Sequence, residues 1–301
     1  MSYLYFPGCS LKSTGRAYEE SLLALFRSLE KPLVELDDWN CCGATAYMSV
    51  SELKAFALCA RNFALAERQR SDDPSDLVVP CAACYLGLVK AMHYLKEHLN
   101  VLEKVNRALG AAGLEYTNRT KVRHPLDVLV NDIGADAIAS RVRRPLTGLR
   151  VACYYGCQLV RPYALFDDQH EPVTMETLMQ SLGADVIDWP IKTRCCGGSL
   201  TGTVQEVGLR LSHIILSEAA KRGCDVIVTA CPLCQFNLEC YQKKMSSIFS
   251  PPVDVPVLYF TQLMGMALGV PQKEVGLQRL MVPLKPLATG EVAAGGIYVN
   301  Q

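Results

Sequence analysis

The sequence predicts an α/β fold made of two tandem copies of one domain, each a small parallel sheet covered by helices. Two observations predict it. Short apolar runs alternate with longer amphipathic stretches, as they do when helices connect parallel strands. The same cysteine-containing motifs also occur twice, in the same order, which indicates a duplication. Duplicated domains usually pack about a pseudo-twofold axis, so we expect one between the two halves.

The repeat consists of four pieces in each half. In the first half they are residues 3–9, 38–43, 76–84 and 122–129, and in the second half residues 151–157, 188–198, 225–234 and 255–263. The basic segment 141–148, with its proline and glycine, is the expected linker. The predicted domains are therefore residues 1–147 and 148–270. Residues 271–301 have no counterpart in the first half and are predicted to be a C-terminal extension, a tail or a segment that docks a partner.

Within each half the pattern runs strand, helix, strand, helix. The predicted buried strands are residues 4–6, 77–79, 150–154 and 226–228, and the predicted helices are residues 17–29, 51–70, 174–182 and 204–222. In folds of this kind, ligands gather at the carboxyl ends of the strands. Most of the repeated cysteines follow such strand ends, so we expect each set to converge although its members lie far apart in the chain.

Composition excludes several classes of function. Basic and acidic residues balance at 30 each, which argues against a nucleic-acid or membrane-surface partner. The longest apolar stretch, residues 255–270, is interrupted by Thr261 and Gln262 and is shorter than the ~20 residues of a membrane span. The amino-terminal residues do not have the pattern of a signal peptide. We therefore expect a cytoplasmic protein that has no membrane or nucleic-acid partner.

Ten of the fourteen cysteines belong to the repeat. Each set has one cysteine, then Cys-Cys-Gly, then Cys-x-x-Cys, and a long chain without a secretion signal does not need disulfides. The first set is Cys9, Cys41, Cys42, Cys81 and Cys84, and the second set is Cys157, Cys195, Cys196, Cys231 and Cys234.

Five thiols in one set favour an iron–sulfur cluster. A tetrahedral zinc site uses four ligands and would leave one thiolate idle, whereas a cluster offers several irons to adjacent cysteines. Glycines beside the cysteines allow close backbone approach to the sulfurs. Zinc in one of the sets and redox-active thiols without metal remain as alternatives.

The paired motifs resemble the duplicated CCG domain of the heterodisulfide reductase B subunit, over the whole chain to about residue 270. The resemblance implies one noncubane [4Fe-4S] cluster in each set of five cysteines. It also implies a disulfide or carrier-bound sulfur substrate between the two clusters, a ferredoxin-like C subunit and a flavin-containing A subunit. The implied enzyme is an oxidoreductase acting on sulfur groups, either in heterodisulfide reductase or in the similar complexes of sulfur-oxidising bacteria.

Several residues outside the two sets have a predicted role. Arg161, Lys192 and Arg194 lie close to the second set in sequence and are candidates for binding an anionic substrate. His124 and His93 are expected to be core or surface histidines. Cys59, Cys153, Cys224 and Cys240 fall outside the repeat and are expected to be packed thiols.

Two other functions compete with the sulfur enzyme. One is a non-catalytic electron-transfer subunit of a CCG-containing oxidoreductase, and the other is a zinc-stabilised scaffold protein. The sequence has no dinucleotide, Walker or ferredoxin motif. The chain is therefore expected to obtain its electrons from partner subunits.

Overall fold

The computed structural model describes residues 3–44, 46–70 and 76–285. They form two parallel sheets of four strands each, one in each half of the chain. The first sheet contains β1 (Tyr3–Tyr5), β2 (Leu33–Glu35), β3 (Asp76–Val78) and β4 (Lys121–Arg123), and the second contains β5 (Arg150–Tyr154), β6 (Asp185–Val186), β7 (Val226–Thr229) and β8 (Val257–Tyr259). The strand orders are β2-β1-β3-β4 and β6-β5-β7-β8.

The two sheets have the same topology. Tyr3 on β1 pairs with Leu33 on β2, and in the second sheet Arg150 on β5 pairs with Asp185 on β6. The inner strand β7 is buried along its whole length. Central strands of a parallel sheet are covered by helices on both faces, which is why they are continuous apolar runs in the sequence.

Helices connect the strands and cover the sheets. The first half contains α1 (Gly8–Leu11), α2 (Arg16–Ser28), α3 (Ala46–Val50), α4 (Glu52–Gln69), α5 (Ala82–Glu97), α6 (Leu99–Gly110), α7 (Pro125–Asp127), a π-helical turn (Val128–Ile133) and α8 (Ala135–Ala139). The second half contains α9 (Thr174–Ser181), a 3₁₀ turn (Gly198–Gly202), α10 (Gln205–Lys221), α11 (Pro232–Glu239), α12 (Gln242–Ile248), α13 (Phe260–Ala267) and a 3₁₀ turn (Leu277–Arg279).

The predicted tandem α/β fold is confirmed. The two long helices predicted at residues 51–70 and 204–222 are α4 and α10, each within one residue of the prediction at either end. The fourth piece of the repeat forms the edge strands β4 and β8 and the helices α7 and α13 that follow them. In the second half this agrees with the expectation that residues 255–270 are a buried strand running into a buried helix. The predicted domain boundary at residue 147 stays a prediction.

The halves meet about a pseudo-twofold axis marked by two aromatic stacks. Tyr18 stacks on Tyr259, with ring centroids 4.4 Å apart and planes 9° apart. Phe166 stacks on His124, with centroids 5.9 Å apart and planes 4° apart. Tyr18 lies nine residues after Cys9 and Phe166 nine residues after Cys157 (18 − 9 and 166 − 157). Each stack therefore pairs a residue of one half with a residue of the other. The pseudo-twofold axis relates one stack to the other.

The described part of the predicted extension, residues 271–285, packs on both halves. Arg279 forms two hydrogen bonds with the carboxylate of Glu20, at 2.7 and 2.8 Å. Glu239 on α11 accepts hydrogen bonds from the backbone N–H groups of Met281 and Val282. This segment therefore ties α2 to α11, and residues 286–301 lie outside the described residues.

None of the helices in the described ranges has the length and hydropathy that a membrane span requires.

Two candidate cysteine sites

The sheets bring each set of cysteines to one edge. Cys9 lies on α1, directly after β1, and the pair Cys41–Cys42 lies in the loop after β2. Cys81 and Cys84 lie at the amino-terminal end of α5, directly after β3. The second set occupies the same positions after β5, β6 and β7. Parallel strands put their carboxyl ends at one edge, and this is why distant cysteines converge.

In the first set the thiols form a chain of contacts. Hydrogen bonds link the thiol of Cys41 to Cys42, Cys42 to Cys84, and Cys84 to Cys81. Cys9 lies close enough to interact electrostatically with Cys41. Cys9 and Cys41 are exposed, and the other three cysteines are buried. The set thus runs from the surface into the core.

The second set has the same arrangement. A hydrogen bond links Cys157 to Cys195, and the sulfurs of Cys196 and Cys234 lie 3.5 Å apart. Cys234 also bonds to Cys231. Cys195 is exposed and Cys157 is partly buried, while the remaining three cysteines are buried.

Each contact between sulfurs favours the thiolate of one partner and the protonated thiol of the other. A hydrogen bond from Cys157 lowers the pKa of Cys195 to about 6, and one from Cys234 lowers the pKa of Cys196 to about 7. In the first set the hydrogen bond from Cys41 lowers the pKa of Cys42 to about 4. The same hydrogen bonds raise the pKa of the four donors, Cys41, Cys84, Cys157 and Cys234. Thiolates are the metal-binding form of cysteine, so each set holds part of its thiols in that form.

Two glycines leave room that no other residue could leave. Gly8 has φ +66°, and a Cβ atom there would lie 3.0 Å from the sulfur of Cys84. Gly156 has φ +69°, and its Cβ would lie 2.9 Å from the sulfur of Cys234. The left-handed conformation and the close sulfur both require glycine. In each site the backbone of a glycine therefore lies directly against a thiol.

Backbone N–H groups also point at the sulfurs. Gly43 donates to Cys41 at 3.5 Å, and Gly197 donates to Cys195 at 3.3 Å. Donors of this kind stabilise negative charge on sulfur and orient a metal ligand. Both Cys-Cys-Gly motifs are therefore built to hold thiolates.

A cavity of about 240 Å³ lies inside the second set. Its lining includes all five thiols of that set, and it also includes Ala82 from the first half. Ala82 is the residue after Cys81, so the lining of this cavity reaches the amino-terminal end of α5, which carries two thiols of the first set. The two sites therefore adjoin at the interface between the halves.

The donor set and its shape fit a polynuclear group. The five thiols of the second set surround a cavity, with a backbone donor behind Cys195. Such a site suits several metals bridged by sulfur, each taking its own thiolate.

Comparison with known proteins agrees with this geometry. The family described as the CCG cysteine-rich domain matches residues 3–89 and 151–239, which include all ten repeated cysteines. The chain belongs to the CCG family.

The CCG protein is similar to subunits of two kinds of reductase. It is 32% identical over 282 residues to the 8-methylmenaquinol:fumarate reductase membrane anchor subunit of Wolinella succinogenes, covering 93% of this chain and 96% of that protein. It is 30% identical over 280 residues to the B subunit of the ferredoxin/F420H2-dependent CoB-CoM heterodisulfide reductase of Methanosarcina acetivorans, covering 91% of each. A heterodisulfide reductase B-subunit-like protein of Archaeoglobus profundus is 28% identical over 285 residues, 92% of this chain and 94% of that protein. The resemblance to the heterodisulfide reductase B family is confirmed.

A solved structure shares the fold of the CCG protein. The crystal structure of a hypothetical protein from Helicobacter pylori superposes with a TM-score of 0.75 at 13% identity. The match covers 94% of this chain but 52% of that chain, so the CCG protein spans about half of it. At this identity the likeness shows the fold alone.

The three predicted substrate-binding cations differ in their surroundings. Lys192 is buried, and its ammonium contacts the carbonyl of Pro172 at 2.8 Å and the carboxylates of Glu171 and Glu176 at 3.4 Å. The structure thus gives Lys192 a role inside the second CCG domain. A substrate contact by its ammonium would require leaving these partners.

The two arginines lie closer to the thiols. The guanidinium of Arg161 bonds to the carbonyl of Thr193, and its charge helps to lower the pKa of Cys195. Arg194 is exposed and directly precedes Cys195. A role in binding an anionic substrate stays a prediction for both residues.

His124 and His93, expected to be core or surface histidines, are both in contact with aromatic rings. His124 is fully buried, and burial lowers its pKa to about 3. Its Nδ1 accepts the N–H of Leu126 at 3.2 Å, so Nε2 carries the proton and donates to the carbonyl of Pro80 at 3.1 Å. His93 stacks on Tyr163, with ring centroids 5.0 Å apart. His124 thus fixes the backbone of Pro80, the residue directly before Cys81.

Sequence reasoning missed one side chain that contacts a thiol. The amide of Asn237 donates to the sulfur of Cys196 at 3.4 Å and to the carbonyl of Gly198 at 2.9 Å. Asn237 lies three residues after Cys234 on α11, and residues at that spacing share a helix face. The spacing was therefore a usable signal, although nothing in the sequence showed which thiol the amide would reach.

Proposed function

We propose that this CCG protein is the iron–sulfur catalytic subunit of a heterodisulfide reductase or a heterodisulfide-reductase-like complex. Its reaction would cleave or form a disulfide, or oxidise a carrier-bound sulfur. The observation that carries the proposal is the pair of adjoining five-thiol sites, in a chain whose relatives include heterodisulfide reductase B subunits. Those relatives support an iron–sulfur subunit of a reductase.

In this proposal each set holds one [4Fe-4S] cluster, which we expect to be noncubane. Bound clusters would supply single electrons, whereas reducing R–S–S–R′ to RSH and R′SH takes two electrons and two protons. Two adjoining sites match that requirement. Cys9, Cys41, Cys42, Cys81 and Cys84 would hold one cluster, and Cys157, Cys195, Cys196, Cys231 and Cys234 the other.

The chain's own residues would then bind and shield the sulfur substrate. The stacked rings of Tyr18 and Tyr259 exclude water between the halves, since both side chains are buried. Arg161, whose charge acts on Cys195, would attract an anionic group on the substrate. Arg194 would add a second positive charge at the exposed rim.

The partners proposed for this chain are a ferredoxin-like C subunit and a flavin-containing A subunit in a cytoplasmic complex. Cys9 and Cys41 are exposed in the first set, which gives a partner subunit a place to approach a bound cluster. Electrons would enter at the first set and be used between the sets.

A second candidate is a non-catalytic electron-transfer subunit. The observation that favours it is the similarity, over 93% of the chain, to a subunit of 8-methylmenaquinol:fumarate reductase. The CCG fold by itself is therefore compatible with passing electrons onward. In this case the two clusters would form a relay without a substrate between them.

One experiment separates the two candidates. The protein is purified without oxygen, and a panel of small disulfides is offered together with reduced methyl viologen as electron donor. The catalytic proposal predicts dye oxidation that depends on the disulfide and is lost in Cys195→Ser. A fully iron-loaded protein that exchanges electrons with the dye but reduces none of the disulfides would contradict it and favour the relay.

A further inference from the structure

A tyrosine hydroxyl without a partner lies at the junction of the two sites. Tyr18 is fully buried on α2. Its ring stacks on Tyr259 at 4.4 Å and meets Phe260 edge-on at 6.0 Å. Within the described part of the chain, its hydroxyl has no hydrogen-bond partner. A buried unpaired hydroxyl destabilises a fold, so its retention here calls for a physical reason.

The surroundings of this hydroxyl are sulfur and aromatic rings. The side chains that act electrostatically on Tyr18 are Tyr259, Cys231 and Cys81. Tyr259 is in turn affected by Cys231, Cys81 and Cys234. The packing agrees with this: a Cβ atom on Gly15, directly before α2, would lie 3.1 Å from Pro232, the residue after Cys231. The start of α2, which carries Tyr18, therefore packs on the segment that carries Cys231.

Other tyrosines at the second site have partners. The hydroxyl of Tyr154 donates to the carbonyl of Arg194 at 2.6 Å, and that of Tyr155 donates to Glu176. Tyr259 reaches Gln235 at 3.4 Å. The missing partner of Tyr18 is thus a local feature and does not extend to all tyrosines of the site.

Water explains the unpaired hydroxyl poorly. A buried water needs two to four polar partners. Tyr18 is instead packed between the rings of Tyr259 and Phe260. An acceptor held by the cysteines themselves fits this position better.

We propose that the hydroxyl of Tyr18 donates a hydrogen bond to a sulfur atom held between Cys81 and Cys231. Tyr18 is then a positioning residue shared by the two sites. The inference rests on the proposed function, because that function places sulfur at this junction. The acceptor is either a sulfur of a bound cluster or a sulfur of the substrate.

The second half of the repeat has no hydroxyl at the position equivalent to Tyr18. The position equivalent to Tyr18 in the second half is Phe166, which has no hydroxyl and stacks on His124. His124 already donates to the backbone of Pro80. Of these two equivalent positions only that of Tyr18 therefore offers a hydroxyl, so the two sulfur positions at the junction are chemically unequal.

The test is Tyr18→Phe, which removes the hydroxyl and keeps the ring. The matched control is Tyr116→Phe, because Tyr116 also has a buried hydroxyl that is unpaired within the described residues but is influenced by Glu67 and not by the cysteines. Both variants and the wild type are purified without oxygen. Iron and sulfide are measured first, followed by electron paramagnetic resonance spectra during a redox titration, with and without bis(2-hydroxyethyl) disulfide.

Full iron content with altered redox behaviour in Tyr18→Phe alone would support the proposal. Hydrogen bonds to sulfur raise the reduction potential because they stabilise the more negative reduced state. A lower potential without disulfide identifies a cluster sulfur as the acceptor. A change seen only with disulfide identifies a substrate sulfur.

Tyr18→Phe with the potentials and spectra of the wild type under both conditions would overturn the proposal, as would an equal change in Tyr116→Phe. Wild-type protein without iron would instead contradict the cluster assignment on which both proposals rest. Failure of this inference and failure of the proposed function are therefore distinguishable.

Discussion

The two halves have one backbone plan but support their thiols differently. In the second half Asn237 donates to the sulfur of Cys196. The equivalent position in the first half, three residues after Cys84, is Gly87. A Cβ atom on Gly87 would lie 3.3 Å from the Cβ of Ala44, so the first half has little room for such an amide. Ligands repeated by duplication have thus acquired different neighbours.

A second difference concerns the carbonyl of the inner cysteine of each Cys-Cys pair. The thiol of Cys59 contacts the carbonyl of Cys42 at 3.2 Å, while the hydroxyl of Ser212 donates to the carbonyl of Cys196 at 2.8 Å. A hydroxyl is a stronger donor than a thiol. The second site is therefore the more polar of the two, and we expect its cluster to have the higher reduction potential.

The halves also differ in where they bury charge. In the first half Arg123 is buried on β4 and forms ion pairs with Asp76, Asp127 and Asp132. The second half has Leu258 at the position equivalent to Arg123 on β8. Its buried cation is Lys192, which pairs with Glu176 and whose carbonyl accepts the N–H groups of Tyr155 and Gly156, directly before Cys157. Substitutions in the Arg123 network should thus destabilise the first sheet, while substitutions around Lys192 should affect the second cysteine site.

The largest expected effect comes from Cys196→Ser. The second set should lose its cluster, and iron should fall from about eight to about four per chain, while the signal of the first set persists. Iron analysis and electron paramagnetic resonance measure this. Cys240→Ser, a cysteine outside both sets, should keep all the iron. Loss of both cluster signals from a folded Cys196→Ser protein would show that the sites are not independent.

Arg123→Met should destabilise the first half strongly. Three carboxylates would lose their cation, and breaking a buried pair costs about 3–5 kcal/mol, here toward the lower end because the aspartates are partly exposed. Thermal unfolding of the loaded protein measures the loss. The spectrum of the second cluster should be unchanged at temperatures where the variant is folded. A melting temperature equal to the wild type would contradict the stabilising role given to this network.

Asn237→Leu should have a moderate effect, confined to the second cluster. Removing one neutral hydrogen bond of about 1 kcal/mol corresponds to about 40 mV in a one-electron couple, and the potential should fall. A redox titration followed by spectroscopy measures it, with iron content as the control for intact ligation. An unchanged potential, or a shift in the first cluster, would remove the proposed source of the asymmetry.

The smallest effect is expected from Arg279→Ala. Its ion pair with Glu20 is partly exposed, and such pairs contribute about 1 kcal/mol or less. The melting temperature should fall slightly and iron content should not change. Loss of iron would show that residues 271–285 support the sites rather than only fastening two helices.

Local sequence patterns were sufficient to predict most of the fold and the two sets of cysteines. The strands β3 and β7 are apolar runs shortly followed by Cys-x-x-Cys at Cys81 and Cys231, and the repeat places both at equivalent sheet edges. These features depend on neighbouring residues and on a period, which a sequence displays directly.

Contacts between distant segments could not be predicted. Lys192 pairs with Glu176, and Tyr18 stacks on Tyr259 in the other half. Their geometry is set by how helices pack and how the halves meet. Proximity in sequence to Cys195 suggested a substrate role for Lys192, yet the folded chain turns its ammonium toward carboxylates.

The central claim is that each half holds an iron–sulfur cluster. Metal and acid-labile sulfide analysis of wild-type protein, purified without oxygen, tests it most directly. We expect about eight irons and eight sulfides per chain, from two four-iron clusters, with zinc absent in stoichiometric amounts. One zinc with about four irons per chain would show that one half holds zinc and only the other holds a cluster. Zinc without iron would contradict the cluster assignment in both halves.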